Sequence, residues 1–376
     1  MLSAIHIADL REQARKRLPQ LVFDYLDGAA EDEKTLAANR AAFDQWALMP
    51  RYLRDVSQRN HEMELLGQTW AQPFGIAPIG MAGLFWPGGD IAAAKAAAKA
   101  QVPYVLSTAA SSTLEDVIVA NPAAWFQLYV LNQALADHLI DRALKAGYQT
   151  LVVTVDVPLG GRRERDTRNG LQQPLKLSPG AMLSMLKRPA WVAGILRHGQ
   201  PDMANLRSAD ASDAALQAAL LQRQMDASFN WEQLQAIRQR WPHKLMVKGV
   251  LSPLDVAQAF AVGADAVIVS NHGGRQLEGA PASLACLPEA VAAAQGKPVL
   301  LDGGIRRGSD MLKALALGAS AVLLGRAPMY GLACAGEAGV SHALSLLTRE
   351  LDISMALLGC RSIAEVQPEH VRRGMV

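Results

Sequence analysis

The sequence predicts a (β/α)8 barrel preceded by an N-terminal helical cap. Between about residues 70 and 350, short β-branched or apolar runs alternate with alanine-rich helical patterns, which is typical of a parallel sheet with crossover helices. The length of 376 residues suits one such barrel with an insertion. A doubly wound sheet is the alternative, but no Gly-x-Gly-x-x-Gly turn follows the first strand. We therefore expect residues 1–376 to form a single domain.

The elements can be placed in chain order. Residues from about 7 to 46 have a helical pattern and form the predicted cap. The predicted strands are Gly75–Ile79, Tyr104–Ser107, Trp125–Tyr129, Thr150–Val155, Leu245–Lys248, Ala266–Ser270, Val299–Asp302 and Ala321–Leu324. The predicted helices include Ile91–Ala100, Gln133–Ala146, Pro253–Val262, Arg307–Leu317 and Gly336–Glu350. Ser252-Pro253 is a typical helix start, with the capping residue before a proline.

The composition excludes several classes of protein. With 37 basic and 35 acidic residues the net charge is +2, so no nucleic-acid partner is expected. Cys286, Cys334 and Cys360 have no metal-ligand spacing and fit a reducing cytosol; we expect no metal. No apolar signal core is seen at the N-terminus. The uncharged run 67–89 is rich in glycine and proline, so we expect a strand with loops there rather than a transmembrane helix.

Ser270-Asn271-His272-Gly273-Gly274-Arg275-Gln276 is the most informative motif, and it follows the sixth predicted strand. A histidine can take a proton from a substrate whose carboxylate an arginine holds. A polar surface loop is the alternative for this motif alone. Other polar residues also lie at predicted strand ends, which meet at one face of a barrel: Tyr129, Thr154, Asp156 and Lys248. We expect Asp156 to orient His272 and to raise its pKa.

The last two strand ends predict a phosphate site. Asp302-Gly303-Gly304-Ile305-Arg306-Arg307 and Gly325-Arg326 place glycine amides beside arginines, where barrels commonly bind phosphate. Either loop alone could simply turn the chain. Together they favour a cofactor that carries a phosphate group.

The ordered motifs resemble the FMN-dependent L-2-hydroxy acid oxidising family. Besides Ser270–Gln276, the resemblance rests on Phe23-Asp24-Tyr25, Trp125–Tyr129, Thr154-Val155-Asp156, Arg162-Arg163-Glu164, Val247-Lys248-Gly249 and Leu324-Gly325-Arg326, and it extends from Leu18 to about Pro368. The stretches 225–231 and 241–244 are most similar to the mandelate dehydrogenase branch, followed by bacterial lactate dehydrogenases.

The resemblance implies FMN as the cofactor and assigns residues to it. Lys248 would lie beside the N1–C2=O edge of the flavin, and Arg326 and Gly304 would bind the phosphate. The complete set of implied FMN-binding residues is Ala77, Pro78, Ile79, Gly80, Ser107, Gln127, Thr154, Lys248, Ser270, Asp302, Gly303, Gly304, Arg306, Gly325 and Arg326.

The resemblance also implies the substrate-binding residues. Arg163 and Arg275 would bind the carboxylate of a 2-hydroxy acid, and Tyr25 and Tyr129 would contact the carboxylate and α-hydroxyl group. By composition alone, Arg163 belongs to an ordinary charged surface. His272, Asp156, Tyr129 and Arg275 are the predicted catalytic residues. Transfer of the electrons as a carbanion pair or as a hydride stays open.

Two small residues predict specificity. Gly80 takes the place of an alanine common in the oxidases of the family, which favours a dehydrogenase that reacts slowly with oxygen. Ala109 takes the place of a tryptophan in plant-type glycolate oxidase, which leaves room for a phenyl ring. We expect oxidation of (S)-mandelate to benzoylformate, with quinone-linked oxidation of L-lactate as the alternative and a hydroxy acid oxidase that uses oxygen as the less favoured one. The acceptor would be a quinone or another non-oxygen compound, and the family suggests a homotetramer.

The interval from about 160 to 230 is too long for an ordinary loop and predicts a functional insertion. Between Thr167 and Pro201 no acidic residue occurs, and basic residues alternate with apolar ones. Residues from about 175 to 200 therefore fit a segment in an anionic membrane interface, at the cytoplasmic face of the inner membrane; a cytoplasmic protein with an active-site lid is the alternative. Pro179, Pro189 and Gly194 are expected to break this segment.

Two other functions remain possible from sequence. An FMN-dependent isomerase or a nucleotide-handling barrel would share the phosphate site without needing Arg163, Arg275 and His272 together. A phosphate-ligand-binding barrel without enzymatic activity would not need them either.

Overall fold

A parallel barrel of eight strands forms the centre of the protein. The computed structural model describes residues 3–170, 179–206 and 225–374. The barrel strands are β1 (Phe74–Ile76), β2 (Val105–Ser107), β3 (Trp125–Leu128), β4 (Thr150–Thr154), β5 (Lys244–Val250), β6 (Ala266–Val269), β7 (Val299–Asp302) and β8 (Ala321–Leu324). Their order is β1-β8-β7-β6-β5-β4-β3-β2, and a parallel bridge from Ile76 to Tyr104 brings β1 beside β2. The predicted barrel is confirmed.

Two strands differ from their predicted bounds for local reasons. β1 ends at Ile76 instead of Ile79 because Pro78 has no N–H group to continue the ladder. β5 continues past Lys248 to Val250, and its register to β6 shifts between those two residues. Gly249 lies in this irregularity with φ at +103°, so Lys248 lies within the strand rather than at its end.

The helices around the barrel largely match the prediction. They are Gly89–Lys99, Leu114–Ala120, Gln133–Ala146, Glu164–Arg168, Trp231–Arg240, Pro253–Ala261, Ser283–Ala293, Gly308–Ala316 and Arg326–Leu358. The Ser252 hydroxyl accepts a hydrogen bond from Leu254 N–H at 3.2 Å, which confirms the predicted cap. The predicted helix Gly336–Glu350 is part of the longer element Arg326–Leu358, which is interrupted at Ala335 and Gly336.

The N-terminal cap consists of the three helices Ile7–Arg17, Gln20–Asp27 and Lys34–Asp44. The second helix carries Tyr25 to the C-terminal mouth of the barrel. The third carries Asn39, which is 1% exposed. Its side-chain amide exchanges hydrogen bonds of 2.8 and 2.9 Å with that of Asn271. The cap is therefore part of the wall around the mouth.

A small hairpin covers the opposite, N-terminal end of the barrel. Its strands Met63–Leu65 and Gln68–Trp70 pair antiparallel, and the Trp70 ring packs 5.5 Å from that of Trp125 in β3. Leu65 and Trp70 belong to the same apolar cluster as the side chains inside the barrel. A second ribbon pairs Trp46–Leu48, which follows the third cap helix, with Val371–Arg373.

The insertion after β4 forms two surface helices, Pro179–Leu186 and Pro189–His198, which we call the surface helical pair. The break falls at Pro189 as predicted, whereas Gly194 continues the second helix, contrary to the prediction. Residues 171–178 and 207–224 of the insertion lie outside the described residues. Across the described ranges, the structure contains no helix of sufficient length and hydropathy to cross a membrane.

Candidate active site

His272 lies at the centre of the barrel mouth. Its Nδ1 atom lies 2.9 Å from Asp156 Oδ1, and its Nε2 atom lies 3.2 Å from the Tyr129 hydroxyl. The backbone at His272 has φ at +58°, which a non-glycine residue adopts at a cost. Its N–H group donates to Ser270 Oγ at 3.0 Å, which stabilises this conformation. The imidazole is thus oriented at both nitrogens.

Burial sets the protonation state of this histidine. It lowers the pKa of His272 below 6.5, and the attraction of Asp156, which acts in the opposite direction, does not compensate. Asp156 thus raises the pKa of His272 as predicted, and the net shift is downward because the effect of burial is larger than that of the neighbouring acid. For Asp156, burial raises the pKa, but the charges of His272 and Lys248 lower it further than burial raises it. The pair consists of a neutral imidazole and a carboxylate near pH 7.

Lys248 is a buried cation beside this pair. Its Nζ atom lies 3.1 Å from Asp302 Oδ2 and 3.0 Å from Ser270 Oγ. Burial lowers the pKa of Lys248, but Asp302 and Asp156 raise it by more, so that the ammonium stays charged. Burial also raises the pKa of Tyr129 to about 12, so this phenol is protonated and can donate a hydrogen bond.

Arg163 and Arg275 reach the same cavity from two loops. Arg163 is 9% exposed, so the surface position that composition suggested is wrong. Its Nε–H donates to the Arg275 carbonyl at 3.4 Å. The Arg275 guanidinium lies 5.3 Å from the centre of the Tyr25 ring and donates to the Gly28 carbonyl at 2.8 Å. The two cations and the Tyr25 ring therefore line one side of the mouth.

The ends of β7 and β8 form a second cationic region. The Arg326 guanidinium is held by the carbonyls of Leu26, Gly273 and Gly28. Burial, together with repulsion from the Arg275 and Arg306 charges, lowers the pKa of Arg326 to about 10. An anion placed between these arginines would relieve the repulsion.

Comparison with known proteins decides the family. The family model described as FMN-dependent dehydrogenase matches residues 14–373. The chain belongs to this family. It is 48% identical over 368 residues to "(S)-mandelate dehydrogenase" of Pseudomonas putida, covering 98% of this chain and 93% of the relative. It is 40% identical to "L-lactate dehydrogenase" of Chromohalobacter salexigens, covering 97% of this chain and 95% of the relative.

A solved structure agrees with these relatives. The structure called "monotopic membrane protein (S)-mandelate dehydrogenase" superimposes with a TM-score of 0.96 at 47% identity, covering 99% of this chain and 100% of the other. The predictions of the barrel, of FMN as the cofactor and of an FMN-dependent hydroxy acid dehydrogenase are confirmed at the level of the family. A peripheral association with membranes is consistent with the monotopic neighbour.

The cavity of this FMN-dependent dehydrogenase fits its cofactor. Within the described ranges, four buried polar atoms at the barrel mouth have no hydrogen-bond partner, namely Gln127 Nε2, Thr154 Oγ1, Asp156 Oδ2 and Asp302 Oδ1. Buried polar atoms are rarely left unpaired unless a ligand or water satisfies them. Amide and hydroxyl groups suit the carbonyl and N–H edge of a flavin, and a carboxylate suits ribityl hydroxyls. The arginine cluster suits its phosphate group.

The predicted site residues come together around one cavity that opens at the barrel mouth. Those that line it are Tyr25, Ala77, Pro78, Ile79, Gly80, Ser107, Tyr129, Arg163, Lys248, His272, Arg275, Asp302, Gly303, Gly304, Arg306, Gly325 and Arg326. The others lie behind this wall. Asp156 contacts His272, Ser270 contacts Lys248, Gln127 contacts Ser107, and Thr154 pairs with Lys248 across β4 and β5.

Sequence reasoning missed two groups of residues. Phe85, Val157, Met203 and Met225 line the cavity, but apolar residues in loops give no signal that separates a pocket from a core. Gln276, Asn271 and Asn39 connect loops at the mouth through amide hydrogen bonds. Gln276 and Asn271 belong to the motif quoted above, so their presence was visible although their partners were not.

Proposed function

We propose that this enzyme oxidises a bulky L-2-hydroxy acid, (S)-mandelate, to the 2-oxo acid benzoylformate and passes the electrons to a membrane quinone. One observation supports the chemistry most directly. An imidazole oriented by a buried carboxylate lies 3.2 Å from a phenol, and Arg163 and Arg275 line the same cavity. This combination suits a substrate with a carboxylate next to a hydroxyl-bearing carbon.

The two arginines would hold the substrate carboxylate. A guanidinium binds a carboxylate through two parallel hydrogen bonds, and this fixes the orientation of the α-carbon. The Tyr129 phenol would donate to the α-hydroxyl group. His272 Nε2 would then take a proton from the substrate, and the nearby Asp156 carboxylate would stabilise the imidazolium that forms.

When bound, FMN accepts the two electrons that leave the substrate. Lys248 would provide a fixed positive charge where negative charge develops on reduction. Its contacts with Asp302 and Ser270 keep the ammonium in place. Asp302 would at the same time offer its unpaired Oδ1 atom to the ribityl chain.

The lining of the cavity supports a bulky substrate. Ala109 contributes only a methyl group, and Phe85, Val157, Met203 and Met225 add apolar surface. Burial of a phenyl ring there would contribute about 2 kcal/mol. L-Lactate is the second candidate, because it has the same carboxylate and hydroxyl groups and a relative at 40% identity is named for it.

The surface helical pair supports attachment to a membrane. Met182, Leu183, Leu186 and Leu196 are all more than half exposed. Lys187 and Arg188 lie between Leu186 and Leu196 in the sequence, and Arg197 follows Leu196. Exposed apolar side chains mixed with cations suit an anionic interface. We place this interface at the cytoplasmic face of the inner membrane, where a quinone would be within reach of the enzyme.

A homotetramer completes the proposal. Tyr52 and Leu53 are exposed on a loop that contacts the end of the long helix, where Leu357 is exposed too. Exposed apolar groups of this kind often lie in interfaces. Sedimentation analysis in detergent measures the number of subunits directly, and a monomer at micromolar concentration would contradict this part.

Anaerobic reduction of the bound flavin tests the function. The FMN-loaded protein is mixed with (S)-mandelate, L-lactate or glycolate, and with (R)-mandelate as the matched control. We expect (S)-mandelate to bleach the flavin absorbance with the highest kcat/KM and (R)-mandelate to leave it unchanged. A higher kcat/KM for glycolate than for the other two would reject the proposed substrate. Failure of every 2-hydroxy acid to bleach the flavin would reject the function.

A further inference from the structure

Gln276 connects the two loops that carry the proposed reaction. Its side chain is almost fully buried. Its Nε2 atom donates to the carbonyls of Asp156 at 3.0 Å and Leu159 at 2.9 Å. Its Oε1 atom accepts from Gly161 N–H at 3.2 Å. Three hydrogen bonds therefore run from the end of one loop to three points along the other.

The pairs His272–Asp156 and Arg275–Arg163 each have one residue on each of these loops. The loop after β6 carries His272 and Arg275, and the loop after β4 carries Asp156 and Arg163. The His272–Asp156 contact of 2.9 Å and the shared arginine region both depend on the distance between the loops. A shift of one loop would therefore disturb both the orientation of His272 and the arginine pair that is proposed to bind the substrate carboxylate.

A close backbone approach at Gly161 supports this connection independently. A Cβ atom on Gly161 would lie 2.4 Å from the Arg275 carbonyl oxygen and 2.7 Å from Gln276 Cα. Real Cβ atoms do not come this close to a backbone, so the two loops touch only because residue 161 is a glycine. The Arg163 Nε–H bond to the Arg275 carbonyl crosses the same boundary.

The geometry points to Gln276 as a positioning residue that sets the distance between the two loops and thereby aligns His272 with Asp156 and Arg275 with Arg163. The inference rests on the proposed function for the roles of those four residues. An amide is required because the loop after β4 presents two acceptors and one donor. A carboxylate at position 276 could accept only the hydrogen bond from Gly161, and an apolar side chain would lose all three hydrogen bonds.

Gln276→Met keeps the side-chain length and removes all three hydrogen bonds. Leu277→Gln is the matched control, because Leu277 is the next residue and its side chain is exposed. Phenylacetate, which has the carboxylate and the phenyl ring without the hydroxyl group, serves as a probe of the arginine pair. Its binding is followed through the flavin spectrum, together with FMN affinity, kcat and the pH profile of kcat/KM.

We expect phenylacetate to bind about tenfold more weakly to Gln276→Met and kcat to fall about tenfold, because the variant loses the buried hydrogen bonds that fix the distance between the loops. The acid limb of the pH profile should move to lower pH because Asp156 raises the pKa of His272 less when it is displaced. The FMN affinity of Gln276→Met should stay within about twofold of the wild-type value. Phenylacetate binding, kcat and FMN affinity of Leu277→Gln should stay within the same range, because a twofold change is smaller than the effect of losing one hydrogen bond.

Other outcomes overturn the inference. Unchanged phenylacetate binding and an unchanged acid limb, with only a lower Tm, would show a purely structural role. Gln276→Glu is the second variant if Gln276→Met does not fold; it keeps the bond from Gly161 and should show the same weaker binding. If the wild-type protein binds phenylacetate but oxidises no hydroxy acid, the proposed function is rejected. The inferred alignment of the two arginines would not be contradicted by that result.

Discussion

Gly249 lies directly behind Asp156: a Cβ atom on Gly249 would be 2.5 Å from Asp156 Cγ. The two residues belong to neighbouring strand ends, and the positive φ at Gly249 is itself costly for other residues. The absence of a side chain at position 249 thus leaves the space in which the carboxylate that contacts His272 is held.

We expect Gly249→Ala to displace Asp156 and to lower kcat by about tenfold or more, because small misplacements of catalytic groups have large effects on rate. FMN should remain bound, since Gly249 does not line the cavity. Steady-state kinetics with (S)-mandelate and the flavin spectrum measure both quantities. Wild-type turnover in this variant would show that the position of Asp156 is not critical.

Asp156→Asn should lower kcat by about a hundredfold or more while FMN stays bound, because the imidazolium loses its stabilising charge. The pH profile gives a second readout. A protonated imidazole cannot accept a proton, so kcat/KM of the wild type should fall as the pH drops through the pKa of His272, which burial places below 6.5. In Asp156→Asn this limb should move to still lower pH, because the carboxylate that raises the pKa is gone.

The exposed acid Asp255 provides the control for this experiment. Asp255→Asn removes an equal charge from an exposed position outside the cavity lining and should leave both the rate and the profile unchanged. An Asp156→Asn enzyme with the wild-type rate would remove Asp156 from the mechanism.

Gly80→Ala should increase the rate at which oxygen oxidises the reduced flavin, which we expect to be slow in the wild type. A Cβ atom at position 80 would lie 3.0 Å from Ala109 Cβ and 3.4 Å from the Tyr25 hydroxyl, so the methyl group changes the space within the cavity. Stopped-flow reoxidation measures the rate. The double variant Gly80→Ala with Ala109→Gly removes the closest contact of the new methyl group. It therefore distinguishes an effect of steric strain from an effect of the side chain at position 80 itself. Rapid peroxide production by the wild type would contradict the dehydrogenase assignment.

Ala109→Trp should lower kcat/KM for (S)-mandelate by about thirtyfold, because an indole would occupy the space that a buried phenyl ring needs, worth about 2 kcal/mol. Activity with glycolate should be retained, since that substrate has no side chain. Ala109→Ser changes the volume little and is the control. Equal losses for both substrates would mean that residue 109 does not select for substrate size.

Deletion of residues 177–200 should release the protein from anionic vesicles while most dye-coupled activity is retained. A finer variant changes Leu183, Leu186 and Leu196 to serine, since all three are exposed on the surface helical pair. Serine at the exposed positions Leu254 and Leu277 is the matched control. Co-sedimentation at low salt measures binding. If the intact protein does not sediment, the segment is a lid and the acceptor is a soluble compound.

The fold and most of the cavity wall followed from sequence because strand ends carry periodic and chemical signals together. His272 and Asp156 follow apolar strands and Lys248 lies close to the end of one, and a parallel barrel brings such ends to one face. The contacts of Gln276 could not be foreseen, since two of its partners are backbone carbonyls more than a hundred residues away. The sign of the His272 pKa shift also depends on burial, which only the assembled site determines. Gly194 shows that one glycine is too weak a signal to end a helix.

The hairpin Met63–Trp70 has a kinetic consequence. It packs against the side chains inside the barrel at the N-terminal end. Small molecules are therefore expected to reach the cavity through the mouth at the other end. We therefore expect the hydroxy acid and the electron acceptor to use one entrance, and the oxo acid to depart before the acceptor approaches. Such alternation gives parallel lines in double-reciprocal plots, the pattern of a ping-pong enzyme. The closed end of the barrel, formed by the packed interior and the hairpin, would thereby leave both partners to reach the same cofactor from one side.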